Sequence, residues 1–366
     1  MRNNHTHIEM RLIEILLRLH IHYWRVSLKF EKEDIINRIC RIREEIGHEN
    51  VKPAIKDIIF DENSGVMGII AADRPEKSVV IGKGGWVVGK LKEELGINSI
   101  HVEAYPDILL REYKMKLTLE KLGEILKTVK LADPAPLENL YHLLNQRIEN
   151  INDFDSVLEN WNAEESENNR AVVALSGGVD SSFSLIVTKL MGFNPIAVTV
   201  NPGNIILPRY FQKNVEALSA KLNVKHVYVN VEMDDIIKDS LEGRFHPCGR
   251  CSKVIEEAVL DYAKENKMEF LIYGDLLSTG NQSIVVGEDL IKINLPAMLS
   301  VSKGEIKNVA SKYDVFKKGG YGCPLINEVH KKYPHMRKFS IQRVLRETRA
   351  GILEPGEALE MIMKII

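Results

Sequence analysis

Seven consecutive residues, Ser176-Gly177-Gly178-Val179-Asp180-Ser181-Ser182, have the types and spacing to hold a phosphorylated ligand. They follow the apolar run Ala171-Val172-Val173-Ala174-Leu175 and precede Phe183, Leu185, Ile186 and Leu190, so the string reads as strand, tight turn and helix N-terminus. Glycine lets the backbone approach a phosphate closely, and the free amides of a helix start attract the anion together with the helix dipole. Ser176, Ser181 and Ser182 can add hydroxyl donors. Asp180 would repel phosphate directly, so it suits holding Mg2+ or orienting the loop. The plain alternative is a glycine-rich βα turn with no ligand. No Gly-Lys-Ser/Thr string is present, which disfavours γ-phosphate transfer.

Cysteines make the second constellation. His246-Pro247-Cys248-Gly249-Arg250-Cys251 opens an expected helix over 252–266, and Cys323 follows in Tyr321-Gly322-Cys323-Pro324. Two thiolates in a Cys-x-x-Cys can ligate one metal centre, and thiols at a helix N-terminus are expected to have depressed pKa values. A third thiolate from a distant loop leaves one coordination position open. Four chemistries stay open: structural zinc with His246 as the fourth ligand, a persulfide or disulfide relay, an iron–sulfur cluster with one iron free, and inert buried thiols. Cys40, on a helical pattern, reads as a small buried hydrophobe.

The string Ser-Gly-Gly-x-Asp-Ser in its strand–helix context resembles the signature of the PP-loop ATP pyrophosphatases, which adenylate a substrate oxygen and release pyrophosphate. The resemblance covers about 171–350 and implies ATP as cosubstrate, bound at Ser176 through Ser182, with Asp180 assisting Mg2+. It implies that adenine lies beside the second strand, Ala197-Val198-Thr199-Val200, with Thr199 a contact. Tyr273-Gly274-Asp275 stands where members often carry Gly-His-x-x-Asp, which puts Gly274 at the site. Lys303, in Ser302-Lys303-Gly304-Glu305, is a candidate for neutralising the leaving pyrophosphate. Joined to such a loop, Cys-x-x-Cys plus a late cysteine is similar to the sulfur-inserting branch, which includes tRNA 2-thiouridine synthetases. That similarity implies Cys248, Cys251 and Cys323 as catalytic ligands of a [4Fe–4S] cluster.

A third string, Ile81-Gly82-Lys83-Gly84-Gly85-Trp86, is expected between a strand and a helix and resembles the Ile-Gly-x-x-Gly loop of KH domains. There the loop meets the backbone of single-stranded RNA, glycine giving closeness and Lys83 supplying charge. The alternative is a glycine turn in an ordinary small α+β domain. Near the C-terminus, Lys331, Lys332, Arg337, Lys338, Arg343, Arg346 and Arg349 crowd together against Glu347. Arg343, Arg346 and Arg349 recur every third residue along one helix face, either a solvated face or a tRNA-backbone surface.

The elements that must position these strings are legible as patterns. Apolar residues at helical spacing predict helices over 7–24 and 32–46, and the histidines His5, His7, His20 and His22 read as surface residues. Strands 58–60 and 66–70 flank a turn at 61–65, and a strand over 100–104 closes a small α+β unit. Residues 114–150 read as helical with a break at 133–136, and 163–170 as a polar linker. Strands 171–175, 195–200, 225–231 and 269–273 then alternate with helices, which argues for a parallel sheet covered on both faces. The expected organisation is a helical segment (1–50), a KH-like RNA-binding domain (51–105), a helical connector (106–168) and an α/β PP-loop catalytic domain (169–366). The last is adenine nucleotide alpha hydrolase-like, hence Rossmann-like, and ends in a basic helix.

The whole-chain numbers bound the reading. At 366 residues, 45% hydrophobic and 27% charged, the chain is ordinary for a globular protein of two or three domains. A net charge of −2 gives no global sign of nucleic-acid binding. No run of eighteen apolar residues argues for a membrane span, and the N-terminus does not read as a secretory signal. Four cysteines are too few for a disulfide framework, so a cytoplasmic location is expected. The combined expectation is an ATP-dependent tRNA sulfurtransferase that replaces a base oxygen, that of a uridine, with sulfur. Its partners are tRNA and a sulfur donor, either sulfide or a persulfide-bearing carrier protein, and a homodimer is compatible with this. Two rivals are a PP-loop sulfur transferase for a small molecule and a KH-type RNA-binding protein with a decayed ATPase. The THUMP domain and terminal zinc fingers of well-known thiolation enzymes are not visible in this sequence, which leaves the modified base open.

Overall fold

A computed structural model of the chain describes residues 30–62, 65–151, 154–165, 168–316 and 321–366. The helix expected over 7–24 and its histidines lie outside the described residues. The chain divides into two compact units, the first ending at Leu109 and the second beginning at Leu110.

The first unit contains α1 (Lys32–Glu45), β1 (Ile55–Asp61), β2 (Val66–Ala71), α2 (Arg74–Ile81), α3 (Trp86–Leu95) and β3 (Ser99–Ala104). Its sheet has the order β1-β2-β3, with β1 antiparallel to β2 and β2 parallel to β3. Ile35, Ile39 and Ile42 recur every three or four residues, so they share one face of α1. They are fully buried with Met67, Ile69, Val80, Val87 and Leu91. Each such aliphatic side chain is worth roughly 1.5–3 kcal/mol of burial. The helix expected over 32–46 therefore belongs to the core of this unit. One local expectation fails: Val79, Val80 and Ile81 end a helix, not a strand. Asp73 caps that helix by accepting from the Glu76 amide at 2.9 Å, and Pro75 sits in its first turn. These local signals outweigh the three β-branched residues that follow.

The second unit opens with α4 (Tyr105–Thr128), in which the boundary between units falls, then α5 (Ala135–Glu149) and α6 (Phe154–Glu159). There follow β4 (Arg170–Ala174), α7 (Val179–Leu190), β5 (Asn194–Asn201), α8 (Arg209–Lys221), β6 (Lys225–Asn230), α9 (Asp234–Leu241), α10 (Cys248–Glu265) and β7 (Phe270–Tyr273). The chain ends through β8 (Ile284–Val286), β9 (Ile291–Asn294), α11 (Leu295–Met298), α12 (Lys303–Lys312), α13 (Pro324–Lys332), α14 (Arg337–Arg349) and α15 (Pro355–Ile365). The six-stranded sheet runs β6-β5-β4-β7-β9-β8 and is parallel except for the β8–β9 pair. This is an α/β fold with a predominantly parallel sheet, as expected. The hairpin β8–β9 is additional, because its two strands are only three and four residues long.

Val172, Val198, Val200 and Leu271 form a core with Val259 and Ala263 of α10. Helix α7 lies against β4, β5 and β7, with every residue from Ser181 to Thr188 buried. The chain leaves β4 for β5 and β6 on one side and returns to β7 on the other. Such a switch of direction opens a crevice at the carboxyl ends of the strands, where open α/β sheets bind ligands. The loop 176–178 lies at the carboxyl end of β4, next to that switch.

Candidate functional site

The loop at the end of β4 is braced from within. Ser181 Oγ donates to the Gly178 carbonyl at 3.1 Å, accepts from the Ser176 amide at 3.1 Å and lies 3.0 Å from Ser176 Oγ. Gly177 has φ +78°, and a Cβ there would stand 2.5 Å from the Phe211 carbonyl oxygen, so glycine is required. Asn214 donates to the Gly177 carbonyl at 3.1 Å. Gly178 is the N-cap of α7 and offers no side chain, so the first amides of that helix stay open to an anion. Of the three hydroxyls expected to face phosphate, that of Ser181 is thus used inside the loop. Ser182 Oγ and Asp180 Oδ1 are buried without a hydrogen-bond partner among the described residues. Orphaned polar atoms at a helix N-terminus suit a ligand that would satisfy them.

Lys303, far along the sequence, arrives at the same loop. Its Nζ lies 2.5 Å from Asp180 Oδ2, with both side chains mostly buried. Ser302 caps α12 in a capping box with Glu305, which presents Lys303 at the helix start. The Ser-x-x-Glu spacing at 302–305 is readable in the sequence as this device, although the expectation there named only the lysine. Gly274 closes the loop from the β7 side: a Cβ on it would stand 3.0 Å from the Asp180 carbonyl carbon and the Ser181 amide. Asp275 next to it accepts from the amides of Leu276, Leu277 and Ser278 and from the Ser278 hydroxyl. Burial raises its pKa, but these hydrogen bonds outweigh burial and hold it below the ordinary value.

Thr199 does not behave as a ligand contact. It is buried, its hydroxyl donates to the Leu175 carbonyl at 2.7 Å, and it lies 2.8 Å from His226 Nε2. The hydroxyl ties β5 to the end of β4, so any contact with an adenine beside this strand would fall to its backbone and methyl group.

A cavity of about 370 Å³ adjoins this loop at Asp180, and it shares Cys248, Gly249, Arg343 and Arg346 as lining with a larger one of about 840 Å³. The smaller runs from Asp180, Gly274 and Asp275 to Cys248 and the α14 arginines. The larger continues past His246, Tyr321 and Phe339 to Arg349. The structure thereby joins the phosphate loop, the first cysteine and the basic stripe in one cleft, a union that spacing along the chain does not reveal.

Helix α10 begins at Cys248 itself, with Pro247 as N-cap, so the Cys-x-x-Cys forms its first turn. The expectation of depressed thiol pKa values is overturned. Burial pushes Cys248 up to about 11, Arg343 pulls the other way, and Cys323 and Cys251 add to the rise. Burial and then Cys323 push Cys251 up to about 11. Desolvation of the thiolate therefore outweighs the helix N-terminus, and a metal centre would have to displace protons on binding. Cys323, the N-cap of α13, contributes to the rise at both Cys248 and Cys251, which places it in the same neighbourhood. Among the described residues, no three His, Cys, Asp or Glu side chains form a group that could hold a metal ion. His246 Nε2 faces Ser340 Oγ at 3.3 Å, and that hydroxyl lies 3.3 Å from His330 Nε2. The fourth-ligand role considered for His246 in a zinc site gains no support from this geometry.

In the first unit the segment Gly82-Lys83-Gly84-Gly85 lies between α2 and α3. All three glycines have positive φ, and a Cβ on Gly82 would stand 2.2 Å from Val87 Cγ2. Lys83 is exposed, and the Trp86 side chain is 66% exposed. The turn has a structural need for glycine whether or not it meets RNA.

No protein-family model matches the chain. It is 37% identical over 197 residues to an uncharacterized protein of Methanocaldococcus jannaschii, covering 54% of this chain and 75% of that relative. A tRNA-specific 2-thiouridylase of Clostridium botulinum is 27% identical over 163 residues, 40% of this chain. The chain spans less than half of that enzyme, 46% of its length. A solved U34-tRNA thiolase from Methanococcus maripaludis, with its [4Fe–4S] cluster, superimposes with a TM-score of 0.35 at 15% identity, over 75% of this chain and 81% of that one. No helix among the described residues is long and apolar enough to cross a membrane. The relatives of known activity point to the PP-loop ATP pyrophosphatase superfamily.

Proposed function

The chain belongs to the same family as the uncharacterized Methanocaldococcus jannaschii protein, and we propose that it is an ATP-dependent tRNA sulfurtransferase of the PP-loop class. The observation that carries the proposal is the single cleft in which the Asp180–Lys303 pair, Cys248 and the arginines of α14 meet. Sequence similarity to a 2-thiouridylase supports the same reading.

In the proposed reaction a base carbonyl oxygen attacks the α-phosphorus of ATP, and the bond to pyrophosphate breaks. The open amides of α7, Ser176, Gly178 and Ser182 bind the leaving pyrophosphate, and Lys303 neutralises its developing charge. Asp180 would hold Mg2+, which would screen the phosphates. Sulfide then attacks the activated carbon, AMP leaves with the former carbonyl oxygen, and a thiocarbonyl remains. Arg343 and Arg346 hold the RNA backbone at the mouth of the cleft, and Gly82 through Gly85 of a KH-like first unit hold a second stretch.

Cys248, Cys251 and Cys323 are the residues proposed to hold a [4Fe–4S] cluster. A cluster takes one cysteine on each of several irons, so its thiolates stand farther apart than those around a single ion. Three thiolates are soft donors of the kind that hold iron–sulfur clusters. When bound, such a cluster supplies an iron free to hold sulfide.

Pyrophosphate release from ATP, measured with and without tRNA, tests the assignment. Stimulation by tRNA is expected. Turnover indifferent to tRNA would favour a small-molecule sulfur transferase, and no turnover would favour an RNA-binding protein. Mass spectrometry of tRNA nucleosides from a deletion strain should show one thiolated base missing.

A further inference from the structure

We propose that Arg147, which lies outside the cleft, is a positioning residue for Lys303: its buried guanidinium fixes Glu305, and Glu305 fixes the helix turn that sets Lys303 against the phosphate loop. The inference rests on reading that loop as the pyrophosphate site of an ATP-using enzyme.

Arg147 is the largest side chain of the second unit with no exposure. It projects from the last turn of α5, its Nη2 lies 2.5 Å from Glu305 Oε1, and its guanidinium lies 4.9 Å over the Phe154 ring. The other carboxylate oxygen of Glu305 accepts from the Ser302 amide at 2.7 Å, while Ser302 Oγ accepts from the Glu305 amide at 3.2 Å. Between these two residues sits Lys303, whose own amide donates to the Ile352 carbonyl at 3.0 Å. Its side chain then reaches Asp180 Oδ2 at 2.5 Å. Two ion pairs, Arg147–Glu305 and Lys303–Asp180, are thus joined through the capping box and backbone at the α12 start.

A capping box needs no cation behind it, and it forms on exposed helix starts without one. Burying a guanidinium is costly unless it is well paired, so capping alone does not account for Arg147. What the cation adds is direction: it holds the Glu305 carboxylate in one orientation. Lysine is a flexible point charge, so the place of its Cα decides whether the ammonium lies at the leaving group or beside it. Displacing a charged group by about 1 Å can cost on the order of 100-fold in rate.

The test compares wild type, Arg147→Met, Arg147→Lys, Lys303→Met and the Arg147→Met/Lys303→Met pair. Pyrophosphate release is read as kcat and KM, and acetylation of Lys303 by acetic anhydride is read by mass spectrometry against exposed Lys253. Arg147→Met is expected to lower kcat about tenfold and to raise Lys303 labelling, with Arg147→Lys recovering part of both. In the Lys303→Met background the same change is expected to alter kcat by less than about twofold, because the residue through which it acts is gone. Equal losses in both backgrounds, or unchanged kcat and labelling, would overturn the proposal and leave Arg147 a structural ion-pair partner. Should Arg147→Met not fold, Arg147→Met/Glu305→Gln removes both charges, keeps the capping hydrogen bonds and takes its place. A wild type that releases no pyrophosphate, yet shows the labelling change, would sink the ATP reading while the positioning role stands.

Discussion

Asp180 and Lys303 stand 123 residues apart in the chain and share one short ion pair at the mouth of the β4 loop. In the proposed reaction a pyrophosphate entering the loop would compete with Asp180 for the same ammonium, which would make the pair a charge held ready for the leaving group. Replacing Lys303 by Met is expected to slow pyrophosphate release about 100-fold, the usual cost of losing one charge-stabilising donor. Steady-state kinetics at saturating ATP checks this. Gly177→Ala tests the loop itself: the new Cβ would meet the Phe211 carbonyl in a positive-φ residue. A loss of about 1–3 kcal/mol in stability is expected from strain of this kind, read by denaturant unfolding. Cys248→Ser separates the sulfur chemistry from the nucleotide chemistry. Iron content and visible absorbance of anaerobically prepared protein should fall, while ATP binding by calorimetry persists. Retained iron would remove Cys248 from the proposed ligand set.

At the scale of elements, the site depends on helix starts. Helices α7, α10 and α12 all direct their N-termini at it, through Gly178, Cys248 and Ser302. The strand read at 79–81 failed because capping by Asp73 and Pro75 is a stronger local determinant than two valines. Helix α13 carries the titratable element with the clearest pH consequence. His330 is 5% exposed, and burial, with His246 and Arg337 nearby, pushes its pKa down to about 4. In the unfolded chain the ring takes its proton near pH 6.5, above the pH at which the folded protein accepts it. Acidification from about 6.5 toward 4 therefore favours unfolding, by at most about 1.4 kcal/mol per pH unit, and above 6.5 the group has no effect. Thermal melts at pH 7 and pH 5 should show this loss, and His330→Asn should flatten it.

At the scale of the whole molecule, each unit carries one proposed RNA contact, at Lys83 in the first and at Arg346 in the second. Lys83→Glu and Arg346→Glu should each weaken tRNA binding and lower the slope of log K against log salt by about 1. A filter-binding series across salt concentrations reads both slopes. The phosphate loop was legible in one dimension because its parts are contiguous: an apolar strand, two glycines and a helix start lie within a dozen residues. The alternating strands of the second unit were legible for the same reason, since buried parallel strands are continuous apolar runs. Lys303 was named from its string, but its pairing with Asp180 was not, nor was the buried support of Arg147, because ion pairs across a hundred residues leave no periodic mark. The hydrogen bonds of Thr199 were not legible, because position beside a loop does not say which way a hydroxyl turns. The cysteines were identified by spacing, yet the raised pKa values of Cys248 and Cys251 follow from burial, which only packing sets. The sequence by itself thus determined which chemical groups exist and which local turns must form, since those follow from backbone preference and neighbouring residues. The tertiary structure alone decided which groups share a cleft, because desolvation and Coulomb energy depend on distance in space.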